Sequence, residues 1–187
     1  MYRSFAKQAG LTLTELLTAL GIIAISLSMV GTSYDSVVSN NRRATTINQL
    51  VSTMHAARSE AITRNAQVTL CPSSDGEACT VGADWGAGWM YFTDVDRDRV
   101  PNGDDVILGR SPATPRLTIT SDEFPAFLVY RPSGRVMADT PDDDSGQFTF
   151  CDHRGADFAR VVILGSSGQP SLSEAQADGS APVCPEA

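Results

Sequence analysis

The stretch KQAGLTLTELLTALGII, residues 7–23, sets one carboxylate, Glu15, at the head of an apolar run and five residues after Gly10. A charge inside a lipid-facing helix is costly, so such a glutamate is normally kept for a partner. Outward from it, residues 16–34, LLTALGIIAISLSMVGTSY, carry no charge. At about 1.5 Å rise per residue, a helix of that length reaches roughly the thickness of a bilayer core. Arg3 and Lys7 precede the run, which keeps the N-terminus cytoplasmic and exports the remainder. An ordinary secretory signal is cut at small residues after its apolar run. Here the small residue, Gly10, comes before it, so cleavage at Gly10 would leave the apolar helix on the mature chain.

The chain has 187 residues, 42% hydrophobic and 19% charged, with a net charge of −8. That is enough for one folded domain plus an appendage, and it excludes wholesale disorder. An acidic surface repels phosphate backbones, so nucleic acid is not an expected partner. Lys7 is the sole lysine; cleavage after Gly10 removes Arg3 and Lys7 and takes the charge from −8 to −10. The four cysteines, Cys71, Cys79, Cys151 and Cys184, all follow the apolar run. An even count without metal-ligand spacing points to two disulfides in an oxidising compartment. Three pairings are open. Cys71–Cys79 would close a tight loop and leave Cys151–Cys184 to pin the tail; the alternative joins Cys71 to Cys151 across neighbouring strands.

Ile47, Leu50, Val51, Met54, Ala57, Ala61 and Ile62 recur at three- and four-residue spacing. They form one apolar stripe of an amphipathic helix. One long helix is therefore expected from about Thr12 to about Arg64, with His55 at its edge. After Asn65 the pattern changes to short β-branched and aromatic runs bounded by Gly, Pro, Asp or Ser. Strands are expected at 66–72, 88–94, 105–110, 116–121, 127–134, 147–152 and 159–168, with an extended polar tail over 171–187. The class is α+β: a long helix packed on a mostly antiparallel sheet. Four segments follow: a leader over 1–10, a membrane or filament-core helix over 11–34, an amphipathic half over 35–65, and a β-rich head over 66–187.

AGLTLTELLTALGIIAI resembles the N-terminal motif of type IV pilins and type II secretion pseudopilins. The parts are a short basic leader, a glycine, an apolar first mature residue and a glutamate fifth in the mature chain. Leucine in place of the usual phenylalanine or methionine is a mild departure. Downstream, RSEAITRNAQVTLCPSSDG, WGAGWMYFTDVDRDRVPNGDDVIL, YRPSGRV and FTFCDHRGADFARVVILGSSG are similar to the GspH/FimT family, and the cysteines favour its FimU-like pilus members. The resemblance implies that prepilin peptidase cuts between Gly10 and Leu11 and methylates the Leu11 amine. It also implies that Glu15 meets the N-terminal amine of a neighbouring subunit and sets the axial register. The plain alternative places Glu15 in the headgroup layer. The implied partners are other minor pilins, the major pilin, the inner-membrane assembly platform and the membrane itself, with the head in the periplasm. Assembly initiation or capping is the implied role; DNA uptake and type II secretion are the alternatives. No cofactor and no catalysis are implied.

Four stretches invite chemistry. In DVDRDRVPNGDD, residues 94–105, Asp94, Asp96, Asp98, Asp104 and Asp105 supply hard oxygen ligands of the kind calcium takes. Arg99 stands where the twelve-residue calcium loop has glycine, and no glutamate stands twelfth, so the expected reading is an acidic hairpin loop without metal. PDDDSG, residues 141–146, is solvated charge in a turn. CDHRGADFAR, residues 151–160, mixes Cys151, Asp152, His153, Arg154 and Asp157 without a nucleophile and oxyanion set; it reads as a connection held by a disulfide. The resemblance ties DNA contact to a Gly-Arg-x-Arg element after the last strand. Here Gly168 is followed by Gln169 and Ser171, and no lysine or arginine occurs after Arg160. Arg131, Arg135, Arg154 and Arg160 are the remaining candidates for a phosphate-binding patch.

Overall fold

The computed structural model describes residues 12–82, 84–137 and 144–185, with the side chains of all but 27–33. Two compact units are present, Met1–Asn40 and Asn41–Ala187. Helix α1, Leu13–Arg64, runs through both. Its start is a capping box: the Glu15 amide donates to Thr12 Oγ1 at 3.3 Å, and the Thr12 amide donates to Glu15 Oε2 at 3.3 Å. Its end is a Schellman motif. Asn65 takes the left-handed conformation at φ 53°, its amide donates to the Ile62 carbonyl, and the Ala66 amide donates to the Ala61 carbonyl.

The first unit is a helix apolar around its circumference. Leu13, Leu16, Leu17, Leu20, Ile22, Ile23 and Ile25 are each between 53% and 76% exposed. No helix among the described residues is long and apolar enough to cross a membrane. The side chains of residues 27–33, within the segment expected to span a membrane, lie outside those described.

In the second unit α1 buries five of the seven residues of its stripe. Ile47, Leu50, Met54, Ala57 and Ala61 belong to one core cluster, Val51 packs on it half-buried, and Ile62 turns out to solvent at 48% exposure. Two antiparallel sheets share that core. The first has five strands in the order β3-β2-β1-β5-β6: β1 Gln67–Pro72, β2 Trp89–Asp94, β3 Ile107–Ser111, β5 Leu128–Tyr130 and β6 Val136–Met137. The second has the order β4-β7-β8-β9: β4 Leu117–Thr120, β7 Gly146–Asp152, β8 Arg160–Leu164 and β9 Pro170–Ser173.

Register explains the continuous burial of β1. Leu70 faces Tyr91 and Leu128 on one side of the sheet, with the helix; Cys71 faces Met90 on the other, where Phe92 adds to a smaller cluster. Both faces being covered, the strand reads as an apolar run and not as an alternation. Between the sheets, Trp85 packs edge-on against Phe148 at 5.1 Å, and Phe124 stacks on Phe148 at 5.4 Å. The Trp85 indole donates to the Phe124 carbonyl at 3.0 Å.

The antiparallel β-structure expected of the head is divided between two sheets. Two strand bounds need correction. The strand expected over 127–134 ends at Tyr130, because Arg131–Gly134 is a hydrogen-bonded turn with Gly134 at φ 76°; β6 follows it. The strand expected over 159–168 ends at Leu164, because Gly165–Gly168 turns the chain into β9, inside the stretch read as an extended tail. Cys71 is joined to Cys79 and Cys151 to Cys184. Cys71 and Cys151 lie on different sheets, so the alternative bridge between neighbouring strands has no basis.

Leu50→Ala should destabilise the protein by about 3 kcal/mol, while Ile62→Ala should change stability by no more than about 0.5 kcal/mol. Cys184→Ala opens a loop of sequence separation 33 and should cost about 4 kcal/mol on loop-closure grounds. Urea midpoints of the detergent-solubilised chain check all three.

Candidate functional site

Gly10 and Leu11, read as the processing site, lie outside the described residues. Glu15 lies within them, at the third position of α1. Its carboxylate receives both the Thr12 amide and the Thr12 hydroxyl, at 3.3 and 3.2 Å, and both fall on Oε2. A carboxylate here also complements the positive end of the helix dipole. The opening glutamate thus has a local role in starting the helix, one that the spacing Thr12-x-x-Glu15 encodes beside its demand for a partner.

The acidic loop follows β2. Asp94, Asp96, Asp98 and Asp105 each place a carboxylate oxygen within 4.8 Å of the others; Asp104 is not part of this group. Asp94 is buried, Asp96 and Asp98 are exposed, and Asp105 is half-buried. Asp94 Oδ2 accepts the Thr69 hydroxyl of β1 at 2.7 Å. Asp98 accepts the Val100 amide and the Asn102 side-chain amide, both at 2.7 Å, and Asp105 accepts the Val95 amide at 2.9 Å.

The CDHRGADFAR segment is a strut. Arg154 grips Asp152 as a fork, Nε to Oδ1 at 2.9 Å and Nη2 to Oδ2 at 2.6 Å, and its guanidinium lies over Phe158 at 4.4 Å. Arg43 of α1 reaches the same carboxylate at 3.3 Å and also donates to the Phe158 carbonyl. The side chains of Arg43 and Asp152 are 8% and 3% exposed. The Arg154 hydrogen bonds hold the Asp152 carboxyl below its ordinary value of 3.8, against the opposing effect of burial. Cys151 is oxidised, and His153 and Asp157 are exposed. Nothing here assembles a nucleophile.

The four arginines weighed for phosphate binding are each set against a carboxylate. Arg131 and Arg135 share Asp144 at 3.7 and 3.3 Å, Arg154 holds Asp152, and Arg160 meets Glu174 at 3.0 Å. Gln169 and Ser171 do not lie beyond the last strand: Ser171 is in β9. Gly168 has a packing reason, since a Cβ there would lie 2.3 Å from the Gly134 carbonyl oxygen, in a backbone at φ 76°. Arg58 of α1 donates to that same carbonyl at 2.9 Å.

Residues 46–168 match the family described as type II transport protein GspH. No curated protein matches the chain. Among solved structures, the type IV minor pilin FimU of Pseudomonas aeruginosa PAO1 is similar in two crystal forms. One aligns with a TM-score of 0.54 at 19% identity over 77% of this chain and 95% of that one. The other gives 0.52 at 19% over 72% and 93%. The long helix set on antiparallel sheets is the architecture these structures share with the present chain.

Removing the buried carboxylate should be severe. Asp152→Asn leaves two buried guanidinium groups without a counter-charge and should cost about 3 kcal/mol. Because the folded carboxyl titrates below 3.8, its contribution is whole above the unfolded value and is lost as the pH falls through the folded one. Denaturation curves between pH 7 and pH 2 should show an acid-side decline in the wild type that the asparagine variant lacks in part.

Proposed function

Because the chain belongs to the GspH family, a family of minor pilins and pseudopilins and not of enzymes, we propose that it is a minor type IV pilin that helps initiate or cap pilus assembly. The observation that carries this reading is the first unit of α1. Seven large apolar side chains stand exposed on one helix, with a carboxylate in its first turn. Apolar area of that extent is a surface for other helices. Prepilin peptidase cuts between Gly10 and Leu11 and methylates the new amine; the assembly platform then passes the chain from the inner membrane into the filament, beside other minor pilins and the major pilin. The head stands in the periplasm until then. Oε1 of Glu15 is the oxygen the capping box does not use, and it receives the Leu11 amine of a neighbouring subunit.

A second reading is a minor pseudopilin of type II secretion, supported by the family description over residues 46–168. Deleting the chain separates the two. Loss of surface pili with secretion intact supports the pilin, and the reverse supports the pseudopilin. Intact mass from wild-type cells should begin at methylated Leu11, and from peptidase-deficient cells at the leader. A glutamine at position 15 still completes a capping box but carries no charge. Glu15→Gln should therefore reach the membrane with its helix intact and be missing from sheared filaments. Equal incorporation of this variant would sink the charge-pair reading.

A further inference from the structure

We infer that Asp94, Asp96, Asp98 and Asp105 form a calcium site. The first observation is convergence: one carboxylate oxygen from each lies within 4.8 Å of all the others. Like charges so placed repel unless a cation sits among them. The second observation is independent of the cluster. Asp94 is 1% exposed, and its Oδ1 is buried with no hydrogen-bond partner. A buried carboxylate oxygen left bare is strongly disfavoured. The other oxygen, Oδ2, is already taken by Thr69, so the bare one belongs to a group that joins the acidic cluster.

The spacing identifies the ion. Asp94, Asp96, Asp98 and Asp105 occupy positions 1, 3, 5 and 12 of a twelve-residue stretch. These are side-chain ligand positions of the calcium loop, whose seventh residue gives a backbone carbonyl; here that residue is Val100. The sixth position of such a loop requires a sharp turn that glycine usually provides. Arg99 stands there and adopts the left-handed conformation at φ 63°. The absent glycine and glutamate that argued against metal in the sequence are thus replaced by a left-handed arginine and by Asp105.

An ion held there would bind the loop after β2 to Thr69 on β1, the middle strand of its sheet, through Asp94. Calcium would then stiffen the edge of the head that β3 forms.

The test uses the full chain in detergent, stripped with chelator and titrated with calcium chloride, read by calorimetry and by melting temperature. One calcium should bind, with a Kd at or below about 1 mM as in extracellular calcium modules, and raise the melting temperature. Asp96 is exposed, so Asp96→Asn should melt like the wild type without metal and bind calcium at least about tenfold more weakly. Absence of any heat or melting shift at about 10 mM calcium, well above such a Kd, overturns the site. So does calcium binding by Asp96→Asn equal to that of the wild type. An equal response to magnesium at the same concentration overturns the assignment to calcium.

Discussion

The head depends on one contact, the burial of Ile47, Leu50, Met54, Ala57 and Ala61 against both sheets at once. A sheet must cover its apolar face, and here neither sheet does so alone. Val68, Leu70, Leu128 and Tyr130 of the first sheet meet Ile119, Phe148, Phe150 and Val162 of the second in a core that includes the helix. The small residues Ala57 and Ala61 sit at the C-terminal end of the stripe, just before the Schellman turn that feeds β1. Polar contacts then fix rotation and depth. Arg43 is held by Asp152, the Trp89 indole donates to Thr53 at 3.2 Å, and Arg58 donates to the Gly134 carbonyl. The amphipathic half of α1 is therefore an internal wall of the head.

That contact was legible in the sequence because period 3.6 survives burial on one side. Five of the seven stripe residues are buried; Ile62 is exposed although its neighbour Ala61 is not, because one residue is about 100° round the helix and carries it off the buried face. Strand existence was also legible, from β-branched and aromatic runs between turn residues. Strand partition was not. A two-residue strand such as β6 has no periodicity to detect, and β9 is built of Pro170, Ser171, Leu172 and Ser173, a composition that reads as a loop. Whether seven runs make one sheet or two depends on pairings between distant residues, which a local pattern does not encode. Arg43 and Asp152 are 109 positions apart, and nothing near either one announces the other. The acidic loop is the opposite case. Its ligand spacing was on the page, but the requirement for glycine hid it, since a left-handed arginine is visible only in the backbone.

The charge of the chain is similarly deceptive. Acidity and a late absence of basic residues argue against phosphate binding in the sequence, and the structure adds where the four candidate arginines lie. Arg131, Arg135, Arg154 and Arg160 are each engaged by a carboxylate of the head. Such exposed pairs as Arg160–Glu174 contribute little stability. The buried Arg43–Asp152–Arg154 group is different in kind, because removing one partner strands charge away from water.

The first unit makes a final demand on the physics. A helix meant to stay in lipid gains from unbroken apolar residues, yet Thr14, Thr18 and Ser26 interrupt this one. Two of them satisfy themselves: Thr18 donates to the Glu15 carbonyl at 3.0 Å and Ser26 to the Ile22 carbonyl at 2.8 Å. Hydroxyls bonded back to their own helix lose little in an apolar setting. Small and hydroxylated positions also let neighbouring helices approach closely. A segment with hydroxyls placed this way keeps them satisfied in an apolar setting and is suited to helix packing. Such a helix can offer its apolar side chains to other helices while its hydroxyls stay bonded to its own backbone.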